Sequence, residues 1–443
     1  MVGVRVRDQL ETPHLSSGGP SWTSSPPSPG GEDMRLLPLF LCLWLVELSC
    51  CEGTFQGSMA ELHGRFSVRL YQALVQTENV SNLMVSPASV SLSLGLLQLG
   101  ARGNTLAQLE ATLGYNVKDV RVQDFLLRSH GDAGNGSHSA ALQQSCTLLL
   151  QRGVQLLSDF TRRAAAWTDG GVVRADLGQV NLTGRHSEEA WSLQAGSSSG
   201  GELSGSGEAQ HEAPLWGQRL QMALVNTVAF RGVWHKQFLF SSTQNLPFLL
   251  SDGTAVKVPM MHQASEVGFG QFRTPWDQRY TVLELPYLGR SLSLQVVLPS
   301  ERKTPLSSLE AQLSARQLAS WDAGLRRTKM DVLLPRFRMQ NRFNLRSVLP
   351  AMGVSDAFDP TLADFTGISV TESLYVSDAF HEVGIDVTED GTKAAAATAM
   401  VLLKRSRAPV FKADRPFLFL LRDINTGSIL FMGRVMNPEQ QVP

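Results

Sequence analysis

Ile385-Asp386-Val387-Thr388-Glu389-Asp390-Gly391-Thr392-Lys393-Ala394-Ala395-Ala396-Ala397-Thr398-Ala399-Met400-Val401-Leu402-Leu403-Lys404-Arg405-Ser406-Arg407 has no settled conformational identity. Its alanines favour helix, its threonines and valine tolerate strand, and it ends in a basic, protease-cleavable cluster. Upstream, Leu374 to Val387 has the β-branched, alternating character of a strand. Downstream, Phe411 to Arg434 reads as two strands joined at Asn425-Thr426-Gly427. The plain interpretation of the middle is an exposed helix ending in a charged turn. Side-chain size argues otherwise. From Gly391 to Ala399 only Lys393 is long, so its neighbours can enter a crowded sheet without a preformed cavity. In strand alternation Thr392, Ala394, Ala396 and Thr398 share one face while Lys393 points to the other. A segment that lives first as a loop and later as a central strand has this composition.

The surrounding chain is globular. Of 443 residues, 43% are hydrophobic and 18% charged, enough for a sizeable core, and the net charge of -1 makes no case for a nucleic-acid partner. Residues 1–33, rich in Ser, Pro and Gly, need not fold; they are a disordered extension or the result of an upstream start codon. Met34-Arg35 then opens Leu36-Leu37-Pro38-Leu39-Phe40-Leu41-Cys42-Leu43-Trp44-Leu45-Val46. That is a secretory signal over 34–52, too short to span a bilayer, so a secreted single domain over 53–443 with no membrane partner is expected. Cys42 lies in the signal, Cys50 and Cys51 at its cut site, and Cys146 stands alone, which supports neither a disulfide scaffold nor a metal site. Asn79, Asn135 and Asn181 lie in glycosylation sequons. The chain has no nucleophile elbow, zinc-protease motif or phosphate loop, so neither an enzyme nor a cofactor is indicated.

Periodicity predicts helices over Met59–Val75, from Pro87 (capped by Ser86) to Leu99, and over Leu106–Leu113, Val117–His130, Gln155–Ala166, Leu306–Ala319 and Leu345–Met352. Strands are expected from Asn82 until Pro87 stops the run, and at Leu142–Leu150, Val172–Leu177, Pro247–Met261 (turning at Asp252-Gly253), Leu283–Leu288, Ser291–Pro299 and Met330–Met339. In Ser291–Pro299 the leucines and Val296 face one way and Ser293 and Gln295 the other, the pattern of a half-buried strand. Residues 195–210 form a Gly/Ser-rich insertion that cannot sustain a helix. No internal repeat or interdomain linker is visible.

Glu389-Asp390-Gly391-Thr392, the alanine run and Ala413-Asp414-Arg415-Pro416-Phe417 resemble the reactive-centre loop and flanks of the serpins, a family of serine protease inhibitors. Phe417-Leu418-Phe419 and Phe431-Met432-Gly433-Arg434-Val435-Met436 look most like its plasminogen-activator-inhibitor and protease-nexin branch. The resemblance covers roughly Glu61 to Pro438, and within it Leu220–Gly232 is similar to the family's long central strand. It implies an α+β serpin fold: three β-sheets with a large central sheet, surrounding helices, and an exposed loop over 389–412. Counting fifteen residues from Gly391, as the family does, puts the reactive bond at Arg405-Ser406, with Lys404 and Arg407 as alternative cleavage positions. Arginine there fits a trypsin-like serine protease with arginine specificity. Serpin loop insertion is a known stored-strain switch, and the resemblance implies it here: acyl-enzyme formation, loop insertion and trapping.

The hinge would be Glu389, Gly391, Thr392, Ala394, Ala396 and Thr398, with Arg336 as the partner of Glu389. Ser86, Ser89, Asn226 and His381 match the family's polar network beneath the central sheet. Two departures leave a non-inhibitory serpin open, as a binding or carrier protein or a plain protease substrate. The helix expected across the front of the main sheet is missing or shortened around Trp191, and Glu382 and Gly384 stand where the family has a lysine and a bulky residue. Lys118, Arg121 and Arg128 alternate with Asp119 and Asp124, too scattered for more than weak heparin binding. A monomer is expected.

Overall fold

The computed structural model describes residues 37–77, 81–131, 140–165, 167, 172–175, 220–302, 304–371, 373–389 and 408–440. The chain divides into a unit of residues 1–53 and one of residues 54–443. Helix α1 (Leu37–Thr77) contains residues of both. In the larger unit its Met59, Phe66, Leu70 and Leu74 are buried, as their helical spacing requires. No helix among the described residues is long and apolar enough to cross a membrane.

Two hydrogen-bonded sheets organise the larger unit. One runs β10 (Phe337–Asn344), β11 (Leu374–Val387), β4 (Leu220–Gly232), β2 (Ala140–Gln151) and β3 (Val172–Ala175). The other runs β1 (Leu83–Val85), β14 (Ile429–Val435), β13 (Phe417–Asp423), β8 (Leu292–Pro299), β7 (Arg279–Pro286), β6 (Ala255–Arg273), β9 (Arg326–Pro335) and β12 (Val410–Lys412), with β5 (Gln244–Leu249) also on β6. Strand β6 explains the size of the second sheet. Its residues from Met260 to Phe269 pair with β9, while Gly268 to Arg273 pair with β7. Two of the three expected sheets thus share one long strand.

The sheets pack face to face through Val228, Phe230, Val383 and Ile385 on one side and Leu294, Val296, Phe419 and Phe431 on the other. Behind them lies α2 (Pro87–Gly100), buried at every residue, its leucines in the core and its buried Ser89, Ser93 and Gln98 each hydrogen-bonded. Gly95 is needed there: a Cβ would stand 2.9 Å from the Trp167 ring. The remaining α-helices among the described residues are α3 (Gly103–Leu113), α4 (Val120–Gly131), α5 (Ser158–Ala165), α6 (Leu306–Glu310) and α7 (Ala315–Gly324).

Several elements differ from expectation. The single strand Met330–Met339 is two strands, because Pro335 ends β9 in one sheet and Phe337 begins β10 in the other. A proline has no N–H for a ladder, so the chain turns the corner there. Phe411–Arg434 holds three strands rather than two, since the turn before Pro416 separates β12 from β13. Strand β8 is buried on both faces, not one. Val297 on its second face belongs to the same hydrophobic cluster as Trp321 and Leu318 of α7 and Leu309 of α6, and Glu284 accepts hydrogen bonds from Ser293 and Gln295. Leu306–Ala319 is two helices, α7 restarting at the Ser314 cap. Leu345–Met352 is a pair of 3-10 turns interrupted before Pro350. The 195–210 tract and the helix expected near Trp191 lie outside the described residues.

Candidate functional site

The segment leaving β11 begins beside the one place in the five-stranded sheet where two long strands run parallel. β11 pairs antiparallel with β10, but parallel with β4, from Leu374↔Leu220 to Asp386↔Arg231, with an irregularity at Ser377. Both strands keep one face on the core, Val383 and Ile385 of β11 aligned with Val228 and Phe230 of β4. The parallel seam is closed along its length.

At its end the chain is held by four contacts. Trp234 Nε1 donates to the Thr388 carbonyl at 2.7 Å, and the Phe238 N–H donates to the Glu389 carbonyl at 3.2 Å. The Glu389 carboxylate is fully buried, accepts from Thr243 Oγ1 at 2.8 Å and lies 3.6 Å from Arg336 Nη1. Arg336 is half-exposed at the corner between β9 and β10, its own N–H fixed to the Pro259 carbonyl. The expected Glu389–Arg336 pair is therefore in place. The far end of the excursion is held by the same stretch of chain: Val410, Phe411 and Lys412 pair with Asp331, Val332 and Leu333 of β9. Just beyond, Asp414 is ringed by Arg302 and Arg415, each at 2.9 Å, and Lys412 at 3.6 Å.

A polar network lies under the middle of the seam. His381 and Asn226 face each other in register, with Cys146 opposite Asn226 on β2. His381 Nε2 accepts from the Ser86 N–H at 3.0 Å. Burial drives the imidazole pKa down to about 3, so the ring is neutral. Its proton then sits on Nδ1, which has no partner among the described residues. Ser86 Oγ accepts from the Ser89 N–H at 3.3 Å, and Ser89 Oγ donates to Asn226 Oδ1. Asn226 Nδ2 donates to the Ser89 carbonyl and to Ser93 Oγ, both at 2.7 Å. Ser93 Oγ also lies 3.1 Å from Cys146 Sγ, a free thiol that burial pushes up to about 11.

The structure thus brings Ser86, Ser89, Asn226 and His381 together, and adds Ser93 and Cys146, which sequence reasoning missed. A signal was available: Ser86, Ser89 and Ser93 are three and four residues apart, one face of a helix. On the helix considered for heparin, Arg121 already forks onto Asp119 at 2.9 and 3.3 Å, and the guanidinium holds that carboxyl below its ordinary range. Among the described residues no cluster of His, Cys, Asp or Glu is arranged to hold a metal. Gly391, Thr392, Ala394, Ala396, Thr398, Lys404, Arg405, Ser406 and Arg407 lie outside the described residues, as do the sequons' Asn79, Asn135 and Asn181.

Comparison with known proteins agrees with this arrangement. The family model described as "Serpin (serine protease inhibitor)" matches residues 61–193 and 210–438. "Probable serpin E3" of Danio rerio is 57% identical over 407 residues, covering 90% of this chain and 97% of that protein. "Plasminogen activator inhibitor 1" of Bos taurus is 32% identical, covering 91% of this chain and all of that protein. A crystal structure of native protease nexin-1 with heparin superposes with a TM-score of 0.71 at 28% identity, covering 86% of this chain and 99% of that one. Kinship with these relatives supports a protease-inhibitory mechanism in general and a serine protease as the kind of target. The chain belongs to the serpin family, in the branch of the plasminogen activator inhibitors and nexins, and is an inhibitor scaffold rather than an enzyme.

Proposed function

We propose that this chain is a secreted, monomeric suicide-substrate inhibitor of trypsin-like, arginine-specific serine proteases, cleaved at Arg405–Ser406. The observation that carries the reading is the parallel seam between β4 and β11, next to the segment that leaves β11. A strand that folds back from the end of β11 runs antiparallel to it. Placed between β11 and β4, it converts one parallel ladder into two antiparallel ones, which are slightly more stable per residue. No such gain exists at β10, which is already antiparallel to β11.

Lengths agree. Thr392 to Arg405 extends to about 46 Å and the ladder from Leu374 to Asp386 to about 43 Å. The protease serine attacks the Arg405 carbonyl, the Ser406 amine leaves, and an ester joins enzyme to Arg405. Insertion of Thr392, Ala394, Ala396 and Thr398 then needs no cavity, and it carries the acyl-enzyme away before water hydrolyses the ester.

Incubation with trypsin tests this: an SDS-resistant complex is expected, with intact mass placing the cut at Arg405. Thr392→Arg should abolish the complex while leaving cleavage intact. Clean cleavage with no complex in the unmodified protein refutes the inhibitor.

A second reading, a non-inhibitory serpin serving as a binding or carrier protein or plain substrate, is favoured by Gly384, the one of the two departures that falls among the described residues of the seam. It lies within the β4 ladder opposite Ala229, where a glycine weakens the strand by about 0.5–1 kcal/mol. That reading predicts that loop cleavage leaves the thermal midpoint unchanged. Heparin binding, if measured, should be weak, since Arg121 is already paired with Asp119.

A further inference from the structure

Arg231 is the only charged residue on β4, and it stands at the last register position of the seam, opposite Asp386 of β11. Its Nη2 lies 3.5 Å from Asp386 Oδ2, with the side chains 37% and 18% exposed. Its Nε is buried without an acceptor among the described residues. We propose that this ion pair is a latch across the insertion seam, one that slows sheet opening and so sets how long the protein stays loaded before its loop inserts unprompted.

The proposed insertion, on which this inference rests, separates β4 from β11, and because the segment leaves β11 at Val387, Asp386↔Arg231 is the first pair it must part. Neighbouring strands stand about 4.8 Å apart, so an intervening strand doubles the separation to about 10 Å and breaks the contact. Apart from this pair, the aligned side chains of β4 and β11 offer no opposite charges, Glu382 facing Thr227. Glu382 is paired instead with Arg342 of β10, across a ladder that does not open. Arg338 of β10 also stands opposite Asp386, on the closed side. Asp386 therefore keeps a cationic neighbour after insertion, and only Arg231 is lost to it. Arg231 is a positioning residue: it touches neither the protease nor the scissile bond.

The test uses Arg231→Gln, which alters the seam alone, and Arg231→Lys, which keeps the charge. For a half-exposed pair, removal should accelerate spontaneous loss of inhibitory activity at 37 °C by about two- to five-fold. Arg231→Lys should restore most of the lifetime, and high salt should shorten the wild-type lifetime toward that of Arg231→Gln. The thermal midpoint of the uncleaved Arg231→Gln protein should fall while that of its loop-cleaved form matches cleaved wild type. A plain structural contact would lower both midpoints equally, and that result overturns the latch while leaving the inhibitor standing. An unchanged lifetime in Arg231→Gln overturns it as well. Absence of any rise in midpoint on cleaving the wild type would remove both the latch and the inhibitor reading beneath it.

Discussion

Protonating His381 should loosen this protein by an amount that can be worked out in advance. In the fold the imidazole is neutral, with a pKa driven down to about 3, and its Nε2 accepts the Ser86 N–H. In the unfolded chain a histidine titrates near 6.5. Between those values the unfolded state binds the extra proton, so the stability contributed by neutral His381 is complete above about pH 6.5. It is lost progressively as pH falls toward 3. The loss approaches about 1.4 kcal/mol per pH unit below 6.5, which gives about 1.4 kcal/mol between pH 7.5 and 5.5 from this residue alone. A unit of residues 54–443 has an unfolding entropy near 0.8 kcal/mol per degree, so the midpoint should drop by about 2 °C. The assay is thermal unfolding at both pH values for wild type and His381→Gln, whose amide can still accept from Ser86. Other titrating groups act alike in both proteins and cancel in the difference. The variant should be less stable at pH 7.5 but lose about 2 °C less on acidification. Parallel pH dependence in the two proteins would refute the argument, because it would mean that His381 is charged in the fold or solvated.

Glu389→Ala removes the acceptor of Thr243 Oγ1 and the partner of Arg336. Because Arg336 is half-exposed and can be rehydrated, the cost should be that of one charge-assisted hydrogen bond, about 1.5–3 kcal/mol, rather than that of a fully buried pair. A thermal midpoint lower by about 2–4 °C is expected, and an unchanged midpoint would show the contact to be idle. Arg434→Met strands Glu310, whose oxygens both lie 3.2 Å from Arg434 Nη1 and one of which accepts from Tyr71 at 2.6 Å. Both ionic side chains are 3% exposed, so urea unfolding should report a loss of about 3–5 kcal/mol. Adding Glu310→Gln should recover part of it.

Of the two strands that form the seam, Leu374–Val387 was legible from its alternating, partly β-branched pattern, whereas Leu220–Gly232, with only Val225, Thr227 and Val228 β-branched, was legible through its resemblance to a family strand. The corner at Pro335-Arg336 was not, since good strand residues continue on both sides and only tertiary packing says that the sheet changes there. The second face of β8 was hidden for a similar reason: Ser293 and Gln295 look solvent-facing until Glu284 of β7 is seen to accept hydrogen bonds from both. Glu389 and its partner Arg336 came from family resemblance, as nothing local links residues 53 positions apart. Arg231 and Asp386 were unremarked, because opposite charges on distant strands carry no signal until the register is known.

Both tethers of residues 390–409 are tied to one short run, Asp331 to Arg336: the upstream tether through Glu389 on Arg336, the downstream one through β12 on Asp331–Leu333. Those attachment points are only three to five residues apart along the chain, about 10–17 Å when extended. A protein gripping the span between them therefore loads two fastenings sewn to the same thread, and tension at either reaches the other through a few peptide bonds. Cutting the span removes that shared load, leaving Glu389 and β12 each held to the run by its own contacts alone.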